Sequence, residues 1–161
     1  MRGIAIAVLL SVVGLAGCGG SSGEASLSDK ERYLARAEAI CAAANTDLAK
    51  VKKTQPTSTD LLPAFVKAIV DVGRTNVTQL EALTPPAADK AALTAKVITP
   101  LKEQVDIGDA YTAKVAKAVK DKDPALLGLI SNPPTQTKAD LAFMRGYGFT
   151  ACVKAADTAN A

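Results

Sequence analysis

From residue 28 onward, apolar side chains recur every three or four positions. That is the repeat of a helix face; no stretch alternates with a period of two for long enough to make a sheet. Ser28-Asp29-Lys30-Glu31 places a serine three residues before a glutamate, the capping-box signature of a helix start. Leu34, Ala37, Cys41, Ala44, Leu48 and Val51 then form one stripe, which predicts a helix over 28–53. Lys50, Lys52 and Lys53 fall in its last turn, where positive charge complements the helix dipole.

A break at 54–59, containing Pro56, leads to a second stripe of Leu62, Phe65, Ile69, Val72, Asn76, Leu80 and Leu83. Thr59 or Asp60 caps it, Pro63 is tolerated in its first turn, and Thr84-Pro85-Pro86 ends it. A third helix is predicted over 87–120 on Leu93, Val97, Leu101, Val105, Gly108, Tyr111, Val115 and Val119, with a kink at Pro100. Asp123-Pro124 opens a short segment over 124–131. A last helix opens at 137–140 and carries Leu141, Met144, Tyr147, Gly148 and Cys152 inward. Four long amphipathic helices with short connections predict an all-α, up-and-down four-helix bundle with one extra short helix. Its first and last helices are antiparallel neighbours, which brings Cys41 towards Cys152.

The first 27 residues do not share this pattern. Arg2, an apolar run from Ile4 to Val13 and then small residues up to Cys18 give the order of an export signal. An apolar run of about ten residues is too short for a membrane span, which needs ~20. Leu15-Ala16-Gly17-Cys18 resembles the lipobox of bacterial lipoprotein signals. The resemblance implies cleavage before Cys18 and acylation of its thiol. The chain is therefore expected to divide into a signal peptide at 1–17, a lipidated cysteine with a flexible Gly/Ser tether at 18–27, and a helical bundle at 28–161. One acyl chain holds only reversibly, whereas two or more anchor stably. The tether reaches ~30 Å when fully extended, which keeps the domain close to the bilayer surface.

Composition narrows the chemistry. Histidine is absent, which removes the commonest general base and metal ligand and excludes Ser–His and Cys–His nucleophilic sites. The expectation is no enzyme, no catalytic residue and no cofactor. Losing Arg2 with the signal leaves 18 basic against 16 acidic residues, too small an excess for a nucleic-acid partner. With three Phe, three Tyr, no Trp and 31 Ala, the helices are expected to pack through small side chains. Once Cys18 is assigned to lipid, Cys41 and Cys152 remain, and an even pair in an exported chain reads as a disulfide. A thiolate metal site or a catalytic thiol is the alternative; neither has a histidine partner or CxxC spacing.

Tyr33 with Ala39-Ile40-Cys41-Ala42, then Leu83-Thr84-Pro85-Pro86, then Tyr147-Gly148-Phe149-Thr150-Ala151-Cys152 resembles small, alanine-rich lipoproteins of actinobacteria and related high-GC bacteria. The resemblance covers most of the mature chain. It implies an envelope location and a helical domain with one cysteine pair, and carries over no binding or catalytic residue.

Four groups remain as candidates. Glu103, Asp106 and Asp109 recur every three residues and could hold a hard cation such as calcium; a solvated face neutralised by Lys102 and Lys114 is the plainer reading, so no metal is expected. Lys114, Lys117, Lys120 and Lys122 form a basic stripe that either meets anionic headgroups or is the wet side of a helix. Gly146-Tyr147-Gly148 within the last helix suggests close packing beside Cys152, or a ligand. Asn76 on an apolar stripe suggests register control or a ligand contact. Together these describe a membrane-anchored envelope lipoprotein with a non-enzymatic interaction or structural domain, its partners being the bilayer through acylated Cys18 and an envelope protein. The alternative is a small-ligand-binding or sensing bundle. The first expects an exposed apolar patch; the second expects a cavity with convergent polar groups near Pro100 and Asn76.

Overall fold

A computed structural model of the chain describes residues 27–134 and 139–154. The expected signal peptide, Cys18 and most of the expected tether lie outside the described residues. Within them the protein is an all-α helical bundle. Its elements are α1 (Asp29–Lys53), a 3₁₀ turn (Thr59–Leu61), α2 (Leu62–Glu81), α3 (Lys90–Leu93), a π turn (Thr94–Ile98), α4 (Thr99–Asp121), α5 (Leu126–Ser131) and α6 (Leu141–Tyr147). Residues 151–154 add one helical turn.

The start of α1 follows the capping-box rule in both directions. The Glu31 N–H donates to Ser28 Oγ (3.2 Å), and the Ser28 N–H donates to Glu31 Oε2 (2.7 Å). α2 packs against both α1 and α4. The π turn joins α3 to α4 without a break, so 90–121 forms a single rod across from α2.

Pro100 is the cause of that π turn. It has no N–H, and its ring crowds the carbonyl four residues back, that of Lys96. A π turn immediately before the proline relieves the crowding and leaves the Lys96 carbonyl free of its helical donor. The Asp140 N–H takes that carbonyl at 3.0 Å. Asp140 then caps α6 by accepting from the Phe143 N–H (2.8 Å), and its carboxylate meets Lys96 Nζ at 3.3 Å. The expected kink is therefore also the dock for the chain's last segment.

The expected last helix is interrupted. Gly148 has φ +113°, a left-handed value that side chains other than glycine rarely adopt, and it ends α6. The Phe149 N–H returns to Met144 O (2.9 Å) and the Gly148 N–H to Arg145 O (3.2 Å), which satisfies the terminal carbonyls. Residues 149–154 leave α6 in a new direction and lie along α1. Gly146-Tyr147-Gly148 thus marks a helix end, and at Gly148 also a close approach to α1. A Cβ built on Gly146 would meet no atom within 4 Å, and one on Gly148 would touch Leu34 at 3.1 Å. A still closer approach occurs at Gly108, where a Cβ would come within 2.9 Å of Val70 on α2.

The core gathers at one end. Tyr33, Ala37 and Cys41 of α1 pack with Leu80 of α2, Leu93 and Val97, and with Met144, Tyr147, Phe149 and Cys152. Four of the six aromatic residues meet here. Tyr33 stands edge-on to Tyr147 and Phe149, both at 6.4 Å, and Tyr147 stacks on Phe149 at 5.4 Å and on Phe143 at 5.7 Å. Each such pair adds ~0.5–1.5 kcal/mol beyond its buried area. Most of the remaining stripe residues, Phe65, Ile69 and Val72 among them, are only half-buried.

The aromatic end and its cleft

The Cys41 and Cys152 sulfurs lie 2.02 Å apart, at a sequence separation of 111. The pair fastens α1 to the helical turn at 151–154. Asn76 sits beside it, half-buried, with Nδ2 3.8 Å from Cys41 Sγ. Glu38 holds the same turn by its N-terminus: its carboxylate accepts the Thr150 N–H (2.9 Å), the Ala151 N–H (2.7 Å) and the Thr150 hydroxyl. Burial pushes the Glu38 carboxyl up, but the hydrogen bonds from Ala151 and Thr150 outweigh it and hold the group below its ordinary value. A carboxylate at exposed helical N–H groups also complements the dipole. Asn45 completes the attachment, with Nδ2 donating to Ala151 O at 2.9 Å.

Tyr147 links this core to the α2–α3 connection. Its hydroxyl donates to Asp89 Oδ2 at 2.7 Å, and Lys30 Nζ lies 4.3 Å from its ring centre. Burial, together with the bond to Asp89, drives its ionisation far above the ordinary phenol range. Lys96 stands likewise over Phe143, at 4.9 Å.

Beside this cluster lies an open cleft of about 390 Å³. One wall is α1, contributing Asp29, Arg32, Tyr33 and Arg36; the other is residues 83–87 of the α2–α3 connection. Arg32 is engaged by Asp29 and by the Leu27 carbonyl. Arg36 has no ion pair and no hydrogen bond among the described residues. Tyr33 is only 5% exposed, its ring is locked into the aromatic cluster, and its hydroxyl makes no hydrogen bond among the described residues. Burial also raises the Tyr33 phenol above its ordinary value, which keeps it a hydrogen-bond donor. The cleft thus combines unused donors and net positive charge with an apolar wall of Leu83, Pro85, Pro86 and Ala87.

No known protein family, curated protein or solved structure matches this chain. What it does must be read from its own residues.

The candidates named by sequence are dispersed. Glu103, Asp106 and Asp109 are exposed on α4, and Asp109 is taken by Arg74 of α2. No metal-holding group of His, Cys, Asp or Glu occurs among the described residues. In the basic stripe, Lys117 pairs with Asp121, and Lys122 ends α4 in a left-handed conformation. Asn76 lines a second open cleft of about 250 Å³ between α1 and α2, with Asp47, Asp71, Thr75 and Gln79; Pro100 is not part of it. Among the described residues, no helix is long and apolar enough to cross a membrane. The exposed large apolar residues include Leu61 (50% exposed) and, on α5, Leu127 (75%) and Ile130 (38%).

The arginine cleft itself did not emerge from periodicity, because Arg32 and Arg36 read as an ordinary polar face of α1. The available signal was their spacing. Two like charges four residues apart on a helix repel, so they invite a search for what faces them.

Proposed function

We propose that this chain is an exported cell-envelope lipoprotein, held on the membrane through acylated Cys18, whose helical domain acts by binding and not by catalysis. One observation carries the reading. Two of the three cysteines meet at bonding distance, and a disulfide of this kind belongs to oxidising compartments. The remaining thiol, Cys18, is the one in the lipobox-like Leu15-Ala16-Gly17-Cys18. Support for binding over catalysis comes from the absence of histidine, the engagement of Cys41 and Cys152 with each other, and the lack of convergence of the α4 carboxylates.

Docking of an envelope protein and capture of a small ligand are the two forms such binding takes. The cleft, with its unmatched Arg36 and Tyr33 hydroxyl, favours the small ligand. Intact-mass measurement of protein extracted from its own membranes tests the anchoring. The expected species begins at Cys18, carries acyl mass there, and is two hydrogens lighter than the dithiol form. A cytosolic, unacylated chain with free Cys41 and Cys152 thiols overturns the reading.

A further inference from the structure

The cleft side chains without a partner among the described residues are a guanidinium and two hydroxyls, all able to donate a hydrogen bond. Among the described residues Arg36 offers a guanidinium with no ion pair, and Tyr33 and Thr84 each offer a hydroxyl that makes no hydrogen bond. Arg32 has five N–H groups; two of its nitrogens are engaged by Asp29 and Leu27 O, which fix its plane and leave further N–H groups available. A site this rich in donors favours a ligand of acceptors. Two arginines against Asp29 leave one net positive charge, which selects an anion. Donors reaching in from α1 and from the facing loop suit the several oxygens of a tetrahedral anion better than the two of a carboxylate. Pro85, Pro86, Leu83 and Ala87 supply apolar surface for a carbon-bearing neighbour.

We propose that this cleft binds a phosphate ester, with its oxygens held by Arg36, Arg32 and the Tyr33 hydroxyl and its organic part against the Pro85-Pro86 wall. Two sources share that chemistry: a phospholipid headgroup and a soluble phosphate ester. α1 begins eleven residues after Cys18, so an anchored domain presents this cleft within tether reach of headgroups. Only the headgroup source rests on the lipoprotein reading; the cleft chemistry stands without it.

The test uses the whole purified protein in detergent, with glycerol phosphate as the soluble probe and glycerol as its uncharged control. Isothermal titration calorimetry reports binding, so the readout does not depend on the tyrosine that one variant removes. Saturable binding of glycerol phosphate but not glycerol is expected. It should weaken at least tenfold in Arg36→Ala, fall less in Arg36→Lys, and weaken severalfold in Tyr33→Phe. Arg36 is exposed and Tyr33→Phe removes only an unbonded hydroxyl, so both variants should retain wild-type helical circular dichroism. Lys114→Ala/Lys117→Ala, in the basic stripe, should bind like wild type.

A second arm adds phosphatidylglycerol vesicles, with phosphatidylcholine vesicles as control, to the unacylated Cys18→Ser chain. Competition between these vesicles and glycerol phosphate identifies a headgroup site. Glycerol phosphate binding without such competition identifies a soluble ester. No saturable binding, or binding unchanged in Arg36→Ala, overturns the proposal, as does loss confined to the Lys114/Lys117 variant. Acyl mass on Cys18 is read independently, so failure of the cleft and failure of the anchor give different results.

Discussion

Reduction of the Cys41–Cys152 bond adds two hydrogens and removes no packed atom, so it isolates what the cross-link contributes. The bond closes a loop of 111 residues. In the chain-entropy account, freeing a loop of that length releases about 4.8 kcal/mol of unfolded-state entropy at 25 °C. Single domains have only ~5–15 kcal/mol in all, so the reduced protein should be marginal. The assay is urea unfolding followed by far-UV circular dichroism, with and without reductant, and with thiol titration to establish complete reduction. For a urea dependence of ~1.5–2 kcal/mol/M, the midpoint should fall by ~2–3 M. The dependence should also steepen, because an uncrosslinked unfolded chain exposes more surface. Both sulfurs are buried against α1, and Glu38 and Asn45 still hold the 151–154 turn after reduction. The native fold should therefore persist in plain buffer while its margin shrinks. A midpoint shift below ~0.5 M with both thiols titrated would refute the argument that this loop governs the unfolded state.

Gly148→Ala places a Cβ at φ +113° and 3.1 Å from Leu34; a loss of ~1–3 kcal/mol is expected in the same unfolding assay. Glu38 titrates below its ordinary value when folded, so its contribution is present above the unfolded value of about 4.3 and is lost as pH falls through the folded one. Acid unfolding of Glu38→Gln should accordingly be flatter than wild type below pH ~4.5, and identical acid profiles would remove Glu38 from the account. Pro100→Ala restores an N–H that competes for the Lys96 carbonyl; faster amide exchange at Asp140 and through α6 is expected, with α4 protected as before. Arg36→Glu replaces a like-charge neighbour of Arg32 with an opposite one and should raise the melting temperature slightly, by ~0.2–0.5 kcal/mol of stability, while abolishing glycerol phosphate binding. A fall in melting temperature would show that Arg36 is structural.

Much of this fold is legible in the sequence, because helix faces and caps are local. Ser28 and Glu31 fix the start of α1, and Pro85-Pro86 ends the second stripe. The cysteine pair required the up-and-down topology as well. What periodicity misses is the backbone exception. Gly148 lies in phase with Met144 and Cys152, so the stripe runs through it without a sign that φ turns positive there. Tyr33 and Phe149 fall off the predicted stripes because their burial is created by the reversal at Gly148, which lays 149–154 along α1. The Lys96 carbonyl is a further case. Its availability follows from Pro100 by elementary geometry, but its acceptance of the Asp140 N–H joins residues far apart in sequence, and no local rule supplies that pairing.

The same distinction accounts for the cleft. Arg32 and Arg36 sit one turn apart on α1, close to the positive end of the helix dipole, where cations are disfavoured. Asp29 relieves the first; nothing among the described residues relieves the second. Tyr33 lies between them in sequence, with its ring committed to the core and its hydroxyl committed to nothing. A helix optimised only for stability would place an acid at position 36 and a phenylalanine at position 33. Departures from local consistency concentrate where a surface has work besides folding. Here two of them fall on adjacent turns of one helix and face one loop, beside the aromatic core that holds the Tyr33 ring. An anion seated between Arg32 and Arg36 would relieve their repulsion and accept a hydrogen bond from the Tyr33 hydroxyl. That relief is the physical reason the proposed site would favour an anion.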